Sequence, residues 1–159
     1  MAKPTIFRSH TALRPSTMAT VAERRLDDAQ ALSDTGRNAH ANGVAYLAGF
    51  VIEILLKARL VAKFPATARK RQHEVLDAER KIWSLIWKSH DLEGMLEMMP
   101  ELEAALEKQA ERSGVDYLRH LKSICAAWTI QARYSPATIR MTEARALLDQ
   151  VREVKEVLK

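Results

Sequence analysis

A single cysteine, Cys125, stands in 159 residues, so the chain forms no internal disulfide and a reducing, cytoplasmic setting is expected. Its neighbours Ile124, Ala126 and Ala127 are apolar, which favours an inert core thiol over a nucleophile. Glycine and proline number five each and no β-branched alternation appears, so no sheet is predicted. The chain has no glycine-rich phosphate loop, no paired cysteines and no HExxH motif. His10, His40, His73, His90 and His120 share no metal-ligand spacing with one another or with Cys125, and neither a metal nor a cofactor is expected. An apolar run at the N-terminus is missing too, which speaks against a secretory signal.

What is present favours helix: alanine, leucine, glutamate, arginine and lysine are abundant. Residues 43–57 read Gly-Val-Ala-Tyr-Leu-Ala-Gly-Phe-Val-Ile-Glu-Ile-Leu-Leu-Lys, and a helix through them is apolar on almost every side. Such a helix is central and covered all round. Its uncharged part stops at Glu53, well short of the roughly 20 apolar residues of a membrane span. Tyr46, Phe50, Glu53 and Lys57 share one stripe by helical spacing. The stripe is either a buried ion pair between helices or the lining of a pocket. Either way Glu53 and Lys57 are expected to pair inside the bundle, close to Arg133 or Tyr134.

The formal net charge of +5 is local. Lys3, Arg8 and Arg14 lie in an acid-free stretch over 1–15, and Arg69, Lys70 and Arg71 form a tight run. The remainder of the chain is close to neutral. The 69–71 run is a candidate patch for phosphate backbones, although three basic residues in a row also occur on plain surfaces.

In chain order, residues 1–15 read as a mobile basic arm and 16–159 as one helical domain. Ser16 or Thr17 is the expected cap of a first helix with Val21, Leu26, Ala29 and Leu32 inward, ended by Gly36. The central helix is predicted over about 39–64, stopped by Pro65. A further helix is predicted from Ala68 to about Lys88, then a short one capped by Ser89 or Asp91. Another is predicted from Pro100 to Arg112, and Ser113-Gly114 breaks it. A fourth main helix is expected over Val115 to Tyr134, with Leu118, Leu121, Ile124, Cys125, Trp128 and Ala132 inward. The last runs from about Ala137 and carries Ala144, Leu147, Leu148, Val151, Val154 and Leu158 on one face. Short connections favour antiparallel neighbours, so the prediction is an all-α up-and-down antiparallel bundle of four to five main helices with short extra helices.

Several side chains are candidates for binding. Asp116 and His120, four apart, are within reach of each other as a surface pair. His90 and Asp91 stand at a helix start, where Asp91 serves as a cap and His90 is suited to anions or polar groups. Arg133-Tyr134-Ser135-Pro136 closes the fourth helix, and Arg133 suits either the helix C-terminus or a phosphate in a cleft. Trp83 and Trp87, with Ile82 and Ile86 beside them, make an apolar arc wider than one packed face needs. That arc predicts a two-fold homodimer with both tryptophans at its interface.

Gly36-Arg37 ahead of Ala45-Tyr46-Leu47-Ala48-Gly49, then Glu53 and Leu56-Lys57-Ala58, resembles the signature of HEPN domains, the higher-eukaryote and prokaryote nucleotide-binding group. His90-Asp91-Leu92, and Trp128 followed by Arg133-Tyr134-Ser135-Pro136, fall in the order common among bacterial members, and the resemblance covers roughly 20–158. It implies a dimeric helical bundle that binds a nucleotide or RNA, often paired with a nucleotidyltransferase as toxin and antitoxin. Nuclease members carry an arginine followed after four to six residues by a histidine. Here Arg69 precedes His73 by three intervening residues, Arg112 precedes His120 by seven, and Arg119 adjoins His120. A binding module without catalysis is therefore the expected function. The ligand-binding candidates are Tyr46, Glu53, Lys57, His90, Asp91, Arg133 and Tyr134. The alternatives are a divergent metal-independent ribonuclease using His90 with Arg133, and a helical protein-interaction domain without a ligand.

Overall fold

The computed structural model describes residues 14–129 and 139–158. Among them the chain is an all-α bundle without strands. Its helices are α1 (Pro15–Asp34), α2 (Ala41–Lys63), α3 (Pro65–Arg69), α4 (Arg80–Trp87), α5 (Leu92–Glu97), α6 (Pro100–Ser113), α7 (Tyr117–Ala127) and α8 (Met141–Leu158). Short 3-10 turns occupy Asn38–His40, Gln72–Glu74 and Asp77–Glu79. No helix among the described residues is long and apolar enough to cross a membrane.

The central helix forms where its pattern places it. Val44, Ala48, Val51, Ile52, Leu56 and Leu60 of α2 have no exposed surface at all. Apolar positions on every side leave such a helix stable only when surrounded. α1 packs most extensively against it, α8 next, and α3, α4 and α5 also pack against it. A short turn joins α1 to α2, which makes that pair antiparallel; Gly36 supplies its left-handed backbone at φ 66°.

α1 opens on Pro15 after an extended Arg14, not on a Ser16 or Thr17 cap. Proline suits the first helical position, because its fixed φ is already helical and its missing N–H would have had no partner. Ser33 at the other end of α1 is buried, and its hydroxyl and carbonyl accept from Arg145 of α8 at 3.2 and 2.8 Å. Asn38 and Asn42 accept backbone N–H groups of Met141 and Ile139 at 2.9 and 3.1 Å, so this turn holds the start of α8. Lys155, buried on α8, donates to both oxygens of Glu23 on α1.

Two predicted helices are shorter than expected. The stretch from Ala68 to Lys88 is not one helix: backbone is extended at Lys70, Arg71, Val75 and Leu76, and only α4 continues the pattern. The breaks have local causes. Glu74 accepts from the Arg71 N–H at 2.7 Å and Glu79 from the Leu76 N–H at 3.1 Å. An acid three residues on thus satisfies the backbone and restarts a turn at each point. Val75 is accordingly only half-buried and Leu76 is exposed. The fourth main helix ends at Ala127 rather than Tyr134, because Trp128 turns to extended backbone at φ −92°, ψ 129°. α8 begins at Met141; its Ala144, Leu148, Val151, Val154 and Leu158 are buried as predicted, while Leu147 is half-buried.

Candidate functional site

The polar stripe of α2 is built into the bundle. Glu53 is 1 % exposed, and Lys57 one turn on donates to its Oε1 at 2.7 Å. His90, at the entry to α5, places Nδ1 2.9 and 3.0 Å from the two Glu53 oxygens. One carboxylate therefore meets two partners, the Lys57 ammonium and the His90 ring, as a buried acid requires. The His90 side chain is 39 % exposed. The predicted pairing of Glu53 with Lys57 inside the bundle is present, and its further partner among the described residues is His90. Arg133, Tyr134, Ser135, Pro136 and Ala132 lie outside the described residues.

Tyr46 stacks between Phe50 and Trp128, with ring centroids 6.1 and 6.0 Å away. The Trp128 indole N–H donates to the Tyr46 carbonyl at 3.1 Å. Such an approach requires glycine at 49: a Cβ there would lie 1.9 Å from Trp128 Cδ1. The Ala-Gly step in the middle of α2 is a socket for an indole. Trp128 is in extended backbone at the end of α7, and nothing local in the sequence marks this docking.

Asp91 caps α5, accepting the Gly94 N–H at 2.9 Å, and its structural reading holds. Asp116 likewise caps α7 through the Arg119 N–H, also at 2.9 Å. His120 lies 3.1 Å from Glu153 of α8, so the Asp116–His120 surface pair does not form. Cys125 is buried, and burial, with Glu93 and Asp91 adding negative charge, pushes its thiol up to about 12. It stays protonated at neutral pH and is no nucleophile. Among the described residues no group of three or more histidine, cysteine and acidic side chains is placed to hold a metal ion.

A second arrangement joins residues that the sequence reading kept apart. Arg69, Lys70, Arg71, Trp83 and Trp87 line one surface depression of about 530 Å³. The break after α3 brings them together. Trp83 donates from its indole nitrogen to the Lys70 carbonyl at 2.9 Å, and Trp87 to the Ala68 carbonyl at 3.3 Å, so α4 is clamped against the basic segment. The two rings are tilted at 35° with centroids 6.5 Å apart. Lys88 holds its ammonium 5.3 Å from the Trp83 ring centroid. Lys70 is bound by Glu79 at 2.6 Å, and this hydrogen bond, followed by the Leu76 N–H, holds the Glu79 carboxyl below its ordinary range. Arg69 and Arg71 are exposed, and among the described residues neither has a carboxylate in ion-pair range. The depression is thus a cationic rim around a partly exposed indole face, with Trp87 39 % exposed. The chain matches no family model, no curated protein and no solved structure.

Proposed function

We propose that the chain is a HEPN-like helical module that binds a nucleotide or RNA without cleaving it. The observation that supports this most is the meeting of Arg69, Lys70 and Arg71 with Trp83 and Trp87 around one depression. Cations attract phosphate and an indole face stacks on a base, so both halves of a nucleotide find a complementary surface there. The missing arginine–histidine spacing argues against catalysis. Purified protein incubated with mixed RNA is expected to retain it on a filter and to leave it intact. Failure to retain either RNA or mononucleotides would contradict the binding reading. Cleavage that vanishes in His90→Ala would contradict the non-catalytic one.

The same His90 supports the second reading, a divergent ribonuclease. A buried carboxylate on Nδ1 orients the ring, and the side chain is partly exposed, as a general base would need. A homodimer and a nucleotidyltransferase partner complete the proposal on the strength of the resemblance. Trp83 and Trp87, the expected interface residues, line the same depression as Arg69 and Arg71, so a dimer built on them would compete with nucleotide for that surface. Light scattering at micromolar concentration tests the dimer, and a mass of one chain would contradict it.

A further inference from the structure

The geometry points to single-stranded polynucleotide as the ligand of the depression between α3 and α4, with an unpaired base on Trp87 and phosphates on Arg69 and Arg71. This inference rests on the nucleotide- or RNA-binding reading and narrows it to one ligand form and one face.

Three features carry it. The first is the accessible aromatic surface. Trp83 and Trp87 are fixed by hydrogen bonds to backbone carbonyls of Lys70 and Ala68, so the rings are held before any ligand arrives. Bases inside a duplex are covered on both faces by their neighbours, and only an unstacked base can lie on an indole. The second is the division of charge. Glu79 neutralises Lys70, whereas Arg69 and Arg71 stay available on either side of it. Two arginines next to one stacking platform suit a flexible strand whose base and backbone are read together. They do not form the extended cationic surface that a rigid duplex needs. The third is that, among the described residues, no deep, enclosing set of polar groups surrounds the indoles: the lining is basic side chains and rings. Such a lining tolerates any base.

The test uses the full chain and fluorescently labelled 12-residue strands: oligo-uridylate, oligo-thymidylate, and the uridylate strand annealed to its complement. Fluorescence anisotropy is read against salt, with poly-glutamate as competitor. Single strands are expected to bind at least tenfold more tightly than the duplex. Trp87→Ala is expected to weaken them by about tenfold or more, as loss of one stacked base does. The slope of log affinity against log salt is expected near −1.4 for two phosphates, falling by about 0.7 with Arg71→Gln. Arg71→Gln changes an exposed side chain, so its effect is readable even if Trp87→Ala fails to fold. A preference for the uridylate over the thymidylate strand would mark RNA as the source, and equal binding would assign the site to single strands of either sugar. Duplex bound as tightly as single strand, an unchanged affinity in a folded Trp87→Ala, or full displacement by poly-glutamate would each overturn the inference while polynucleotide binding itself stood. No binding of any strand would overturn it together with the reading beneath it.

Discussion

Gly49→Ala is expected to destabilise the protein, although alanine is the better helix former by about 1 kcal/mol. The added methyl would sit 1.9 Å from Trp128 Cδ1 and closer than 2.5 Å to two further indole atoms, so ring or helix has to move. Trp128 is 5 % exposed and its N–H is bound to the Tyr46 carbonyl, which leaves the ring little freedom to yield. Expelling a buried tryptophan costs about 3–5 kcal/mol, so the net loss should be about 2–4 kcal/mol. A urea denaturation midpoint displaced downward checks this, and a midpoint displaced upward would show that the indole simply swings aside. In a Trp128→Ala background the sign should reverse, since the socket is then empty and only helix propensity remains.

Glu53→Ala is expected to cost about 3–5 kcal/mol. Lys57, whose side chain is 13 % exposed, would lose its only acid among the described residues, and His90 would lose its acceptor. Removing both charges together should cost much less: Glu53→Met with Lys57→Met replaces a desolvated pair by apolar volume, which is commonly neutral or stabilising. Denaturation midpoints of the two single variants and the double variant decide it. A single-variant loss below about 0.5 kcal/mol would contradict the view that this buried pair depends on both partners.

Both positions lie on α2, and they differ in how legible they were. Glu53 and Lys57 are one helical turn apart in a stretch otherwise apolar, so their burial and pairing follow from periodicity alone. The third member, His90, lies 37 residues further on, and no local pattern links it to Glu53. Gly49 is similar: an Ala-Gly step permits close approach, but the indole that uses it arrives from residue 128. The buried face of α8 was readable because it is amphipathic along its whole length. The segment 70–79 was misread because helix-forming residues are plentiful there while Glu74 and Glu79 bind backbone N–H groups and interrupt the helix. That interruption builds the depression, since a continuous helix would have carried Arg69–Arg71 and Trp83–Trp87 without folding one against the other.

The most direct test of binding at that depression is the indole region of a proton–nitrogen correlation spectrum, where the three tryptophans report from two places. Trp83 and Trp87 line the basic depression, whereas Trp128 lies against Tyr46 on the stripe that carries Glu53. Titration with oligo-uridylate is predicted to shift the Trp83 and Trp87 indole N–H signals and to leave Trp128 in place. A shift confined to Trp128 would contradict the assignment and move the site to the Glu53–His90 side of the bundle.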